Sequence, residues 1–406
     1  MTASREKPAI GLAFCPEERP LPIVIGLAFQ REWNVNFDLS EDEEMLKALT
    51  ERFVTNHYDH DSRRSFLAQP SGFSPENWQL LGELGLIAAP LPEDLGGLDL
   101  DATGIATVFE ALGRGLVVEP LAEASVLAGR LFATTATDDL AAQWGESLAT
   151  GEKRLALAHA ETPARDGLPW VETSATRQGE DWILTGEKPY CVAASGADGF
   201  IVSARTSGEP ASRDGVALFL VPADTPGLAI RDWHLADGSV AASLSLSGVA
   251  LGKGQRLDGG LDAIDAAQTL ANLARAAEAL GIMGRLFDET IDYLRTRDQF
   301  GAALGSFQAI QHRMVAQYAV IEQCRGLINL ALVAWGSDGF ARAVAGARAF
   351  ISTASLALGH EMIQFHGGMG VTDELAIGGG HKRLLVLSRW PDGPDAALDR
   401  YAELLN

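Results

Sequence analysis

Arg295–His312 reads RTRDQFGAALGSFQAIQH, and Gln364–Gly370 reads QFHGGMG. Taken singly, these residues are ordinary. Arg297 closes a helical pattern, where a cation is favoured by the helix dipole. Phe300 and Phe307 suit a core, and Gly367-Gly368 suits a turn. The information lies in the conjunction. A cation, amide, aromatic and glycine end one long helical segment, a Phe-Gln step opens the next, and Gln-Phe-His-Gly-Gly ends a third.

Upstream of this run, residues 261–297 contain no proline. Leu273, Ala277, Leu280, Gly284, Phe287, Ile291 and Leu294 recur at three- and four-residue steps, which predicts one helix about 50 Å long. Further helices are expected over 308–335, 341–365 and 396–405. Long antiparallel helices of this kind make a four-helix bundle, so 257–406 is read as a C-terminal helical domain.

Before it, the period changes. Residues 155–160, 172–177, 182–187, 200–204, 216–221 and 244–246 are short, mostly alternating or β-branched, and separated by Gly-Glu, Ser-Gly and Asp-Gly. With no helices between them, 151–256 is expected to form an antiparallel β barrel or sandwich. Residues 35–150 return to helix. Ser40-Glu41-Asp42-Glu43 forms a capping box, Ser74-Pro75 opens a second helix with Pro at its first position, and a third runs from about 102 to 112. The fold class is therefore α+β: an N-terminal helical domain, a central β domain and a C-terminal bundle. Residues 1–34 carry Glu17 and Glu18 ahead of a short apolar patch, unlike a signal peptide. They are read as a disordered extension or translated upstream sequence.

Composition narrows the function classes. A formal net charge of −22 argues against a nucleic-acid partner, which needs clustered Lys and Arg. It leaves room for an anionic ligand on a local basic patch. No apolar run is long enough to span a membrane. Cys15, Cys191 and Cys324 form neither a disulfide framework nor a metal pair, which suits a reducing cytoplasm. His360, Glu361 and His366 lack the HExxH spacing, so no metal is expected. His381-Lys382-Arg383 reads as a charged helix end or as a contact to phosphate or a partner chain.

The order of zones, with RDQFG, FQAIQ and QFHGGMG in these places, resembles the acyl-CoA dehydrogenase family from about residue 37 onward. PEDLGG near residue 92 and GLVVEPL near residue 115 add weaker support. The resemblance implies FAD as cofactor, an acyl-CoA thioester as substrate and an electron-transfer acceptor as partner. It also implies a flavin that spans two chains. Arg297 would pair with the pyrophosphate, Gln299, Phe300, Leu304, Phe307 and Gln308 would line the cofactor, and Gln364, Gly367 and Gly368 would meet its ADP part.

The other half of the site departs from the family pattern. A Thr expected on the first barrel strand is Ala160, the Trp that covers the flavin is Tyr190, and the Thr that hydrogen-bonds near the flavin N5 is Val192. The usual base, a Glu, falls at Pro391, and its alternative place on the long helix is Ala271, followed by Asn272 where an Arg often stands. Asp392 is the nearest substitute. Glu278 reads as a solvated helix residue, Asp265 as a helix-start acid and Glu374 as structural. The losses resemble paired α2β2 dehydrogenases of steroid and cholate side chains. The leading expectation is thus a subunit of a heterotetramer, completing the flavin site of a related partner chain that acts on a bulky acyl-CoA. Two other readings stay open: a self-sufficient enzyme, using Asp392 or acting as a flavin monooxygenase, and a scaffold that binds no flavin.

Overall fold

The structure, a computed structural model, describes residues 39–162 and 168–405. The expectation for residues 1–34 lies outside the described residues. The N-terminal helices are α1 (Glu41–His57), α2 (His60–Leu67), α3 (Pro75–Glu83), α4 (Ala102–Gly115), a π-helical segment (Ala122–Gly129) continuing into α5 (Arg130–Thr135), and α6 (Asp138–Thr150). The capping box forms as its residue types require: the Glu43 amide donates to Ser40 Oγ at 3.3 Å, and the Ser40 amide donates to Glu43 Oε2 at 2.7 Å. The sequence reading passed over the π segment. Every residue of it is buried, so it has no polar face and no amphipathic period to detect.

Strands β1 (Leu155–Ala158), β2 (Ser174–Gln178), β3 (Asp181–Val192), β4 (Gly199–Arg205), β5 (Val216–Pro222), β6 (Leu228–His234), β7 (Val240–Leu251) and β8 (Arg256–Leu257) follow. They form one sheet in the order β6-β7-β3-β2-β4-β5-β8, with β1 on β4. The expectation of an antiparallel barrel needs correction. The sheet does not close, and β4 pairs in parallel with β1 and β2. Alternation reports which face is buried but not strand direction.

The C-terminal part contains α7 (Leu261–Thr296), β9 (Asp298–Gln299), β10 (Ala302–Ala303), α8 (Gln308–Val333), α9 (Phe340–His366), α10 (Ala376–Arg389) and α11 (Pro394–Glu403). The fourth long bundle helix is α10, which the sequence reading missed because Gly378–Gly380 lowers helix propensity. Packing explains part of that run: a Cβ at Gly380 would lie 2.7 Å from Leu286 of α7. Helix α11 packs on α9. The helical parts meet where α4 crosses α7. A Cβ at Gly113 would lie 2.1 Å from the Glu278 carbonyl oxygen, and one at Gly281 would lie 2.1 Å from that of Glu110. Only glycine permits so close a backbone approach.

Candidate functional site

The residues singled out by the sequence fall into two regions. The first is a surface at one end of the bundle. Helix α7 ends at Arg297, and the chain makes a two-residue hairpin turn through Phe300 (φ 55) and Gly301 (φ 81) between β9 and β10. Such positive φ values are those of a type I′ turn. The turn drives the Phe300 ring outward, 91 % exposed, with its edge toward Phe307 at 6.3 Å. Helix α8 then opens at Gln308 without a side-chain cap, and the Ile310 and Gln311 amides donate to the Phe307 carbonyl oxygen.

The second motif comes to the same end. His366 closes α9 and stacks on Tyr293 of the last α7 turns, with ring centroids 4.3 Å apart. Arg313 of α8 lies over Phe365 at 4.6 Å and pairs with Glu361 at 2.7 Å. Arg297, Gln299, Gln308, Gln364, Gly367 and Gly368 are exposed, and Leu304 and Phe307 are half-buried. Arg297 has no ion-pair partner among the described residues. A Cβ at Gly301, Gly367 or Gly368 would meet nothing within 4 Å. This surface offers a free guanidinium fork, amides, an aromatic ring and room against the backbone, a set of groups suited to a phosphate-bearing ligand.

The second region is a cavity where the N-terminal helices, the sheet and the bundle meet. Val192, Ala193 and Ser195 line it from the end of β3 and the turn after it, Phe109, Glu119 and Glu123 from the N-terminal helices and the loop between them, and Glu278, Arg383 and Trp390 from the bundle. Several of its charges are paired within the chain. Arg383 donates to Glu278 at 2.6 and 3.0 Å and to Asp237 at 3.2 Å. Burial alone would lower the Arg383 pKa, but the two carboxylates hold it above its ordinary value. Glu278 is 6 % exposed, so the expectation of a solvated helix residue is wrong: its face of α7 turns toward the cavity. The basic run at 381–383 is no single patch. Arg383 points inward, His381 packs against His360 with centroids 4.6 Å apart, and Lys382 faces Asp373 at 3.7 Å.

Arg154 is buried with its guanidinium on the carbonyl oxygens of Ala193 and Ser195 and its plane near Phe73. Burial lowers its pKa to about 10. Glu119 accepts from the Tyr58 hydroxyl, and burial raises its pKa. Glu123 and Arg275 form a bidentate pair at 2.8 and 2.7 Å. Sequence reasoning missed these acids, although a signal existed. In the run Leu116–Gly129, Glu119 and Glu123 are the sole charged residues, and a buried acid requires a partner.

The residues at the expected base positions are Ala271, fully buried on α7, and Pro391, beside Trp390. Asp392 Oδ1 accepts from Arg348 Nε at 2.7 Å. Arg348 also donates to the carbonyl oxygens of Leu387, Trp390 and Asp392, which fastens the α10–α11 turn to α9. Asp265 is paired with Arg400, and Glu374 is exposed. Ala160 and Val192 are half-buried, and Tyr190 is exposed with its ring edge toward Trp233 at 6.2 Å.

Two residues before Tyr190 on β3, Lys188 centres a buried polar cluster. Lys188 donates to Glu161 Oε1 at 2.7 Å, Ser203 Oγ at 3.0 Å and the His159 carbonyl at 3.1 Å. Burial lowers the Lys188 pKa to about 8 against the opposing charge of Glu161. His159 Nε2 lies 2.9 Å from the Leu168 carbonyl oxygen, so it carries the proton, and Nδ1 accepts from Ser203 at 2.8 Å. Among the described residues no group of acidic, His or Cys side chains is arranged to hold a metal, and no helix is long and apolar enough to cross a membrane.

Comparison with known proteins adds the following. Residues 40–152, 156–247 and 258–398 match the N-terminal, middle and C-terminal domain models of acyl-CoA dehydrogenase. The chain is 30% identical to human mitochondrial short-chain specific acyl-CoA dehydrogenase, over 73% of this chain and 74% of that protein. It is 29% identical to acyl-CoA dehydrogenase FadE27 of Mycobacterium tuberculosis, over 83% of this chain and 90% of that protein. Among solved structures, a variant of the Tcur3481–Tcur3483 steroid ACAD superposes with a TM-score of 0.81 at 28% identity, covering 90% of this chain and 98% of that one. The ChsE4–ChsE5 complex of Mycobacterium tuberculosis gives 0.78 at 26%, covering 91% and 99%.

Proposed function

The chain belongs to the acyl-CoA dehydrogenase family, and on that premise we propose that it is the base-less subunit of a heteromeric, FAD-dependent acyl-CoA dehydrogenase. The observation that carries this reading is the contrast between the two regions. The bundle surface keeps an unpaired Arg297 beside open glycines, whereas the cavity at the expected ring side is lined by members of the chain's own ion pairs and lacks a Glu at 271 and 391.

FAD fits the bundle surface. Arg297 would hold the pyrophosphate as a guanidinium fork, Gln299, Phe300, Leu304, Phe307 and Gln308 would line the cofactor, and Gln364, Gly367 and Gly368 would receive the ADP part. When bound, the flavin supplies the hydride acceptor for α,β-desaturation of the thioester. The chain's own residues bind and orient it. A related partner chain would supply the Glu for the α-proton, and a separate acceptor would take up the electrons. A bulky, steroid-like acyl group is supported by similarity to a steroid ACAD and to the ChsE4–ChsE5 complex.

Native mass spectrometry of the co-purified complex tests this reading. One FAD per two chains is expected, with the isolated chain colourless and inactive. Full flavin loading and turnover by this chain alone would refute it. Under this reading Asp392 is an anchor for Arg348. Asp392→Asn is therefore expected to lower stability by about 1–3 kcal/mol while turnover per flavin in the complex stays unchanged. Loss of turnover in folded complex would instead make Asp392 the base of a self-sufficient enzyme.

A further inference from the structure

The base of this reaction has two expected positions, at residues 271 and 391. A base serving one reaction from either place must face the same carbon atom. In this chain a buried pair of charged side chains lies near both: Arg275, four residues after Ala271 on α7, and Glu123, which lines the same cavity as Trp390.

Arg275 follows Ala271 by one turn on the same face of α7, and it is 1 % exposed. Its Nε and Nη2 donate to Glu123 Oε1 and Oε2 at 2.8 and 2.7 Å, and Nη1 donates to Asn272 Oδ1 at 2.8 Å. From the other side comes Trp390, the neighbour of Pro391, which lines the same cavity as Glu123. Its indole N–H is buried and makes no direct hydrogen bond. Glu123 is fixed by its place in the fully buried π segment.

We infer that the Glu123–Arg275 pair is a built-in plug that closes the acyl end of this chain's own ring-side cavity, so that no thioester reacts there. This inference rests on the heteromeric reading above and gives it a physical device. The other role for Glu123, a substitute base, fits the geometry poorly. Both of its oxygens are engaged by one guanidinium. Burial pushes its pKa up, but the charge and bonds of Arg275 outweigh that and hold it below the ordinary value. A general base works best with a pKa near the working pH.

The test uses the co-purified complex carrying Glu123→Gln or the double substitution Glu123→Leu/Arg275→Leu in this chain. Turnover per flavin is expected to stay within about twofold of the unmodified complex, with the ratio of flavin to chains unchanged. The double variant should remain folded, because apolar side chains of similar volume substitute well for a buried ion pair. A fall of roughly 100-fold or more in kcat for Glu123→Gln, with flavin content and thermal midpoint retained, would make Glu123 a base and overturn the plug. Should Glu123→Gln fail to assemble, the same loss in the folded double variant overturns it equally. Flavin stoichiometry separates the two claims. One flavin per chain in the unmodified complex defeats the heteromeric reading, whereas one per pair with an inactive variant defeats the plug alone.

Discussion

The bundle end and the three-part junction treat charge in opposite ways. At the bundle end Arg297 stands exposed without an ion-pair partner, and the glycines beside it leave open space. In and beside the junction Arg275, Arg348 and Arg383 are enclosed, and each is met by a carboxylate of the same chain. An unpaired exposed cation costs the fold little and stays available to a ligand. A buried cation must be satisfied before folding is complete, so it is no longer available. The difference separates a surface whose charge is left free from a cavity whose charges are largely paired within the chain.

The largest effect is expected at the junction. Arg383→Ala would leave Glu278 and Asp237 buried without their shared cation, a change that costs about 3–5 kcal/mol. Urea unfolding of the isolated chain or of the complex measures it. A loss below about 1 kcal/mol would mean that the cluster is solvated, and the distinction between the regions would fail.

The sheet provides a pH-dependent version of the same contrast. Burial, followed by the charge of Lys188, pushes His159 down to about 3. An unfolded His takes its proton near pH 6.5. Between those values the unfolded chain binds more protons than the folded one, so stability falls as pH drops from about 6.5 to about 3. The His159 contribution is intact above that window. Its size is on the order of 2–4 kcal/mol. His159→Gln should flatten this acid limb, and an unaltered slope would show that His159 takes up its proton as readily in the native sheet as in the unfolded chain.

The sequence was unequally informative about the two regions for a physical reason. The groups proposed to meet a ligand are local and exposed. Arg297, Gln299, Phe300, Gln364 and the two glycines sit in two short runs, and their chemistry can be read there. Groups that satisfy one another across the core are distant in the chain. Glu123 meets Arg275 and Asp237 meets Arg383, and no spacing rule joins them. Helices with one apolar face, such as α1 and α7, were legible for the same reason that the buried π segment was not. The glycine-rich α10 was hidden because close packing against α7 and α9, rather than propensity, sustains it.

At the bundle end the effects should fall on the cofactor rather than on the fold. Arg297→Ala removes an exposed, unpaired cation, so the thermal midpoint of the isolated chain should not move. FAD binding by the complex should weaken about 10–100-fold, the worth of a charge-assisted hydrogen bond. Fluorescence titration of stripped complex measures it. Unchanged affinity would remove Arg297 from the cofactor contacts.

The smallest change in stability belongs to Gly368→Ala, and it sharpens the contrast most. Gly368 has no positive φ, and a Cβ there meets nothing within 4 Å. The isolated chain should therefore gain or lose no more than about 0.5 kcal/mol. A methyl group in that open space would nevertheless stand where the ADP part is expected to lie against the backbone. Flavin loading of the complex should fall, by about tenfold if the methyl costs one well-placed contact. A substitution the fold ignores and the cofactor feels is what distinguishes space reserved for a ligand from space merely left empty. If flavin loading ignored it as well, the opening beside Gly368 would belong to the second kind.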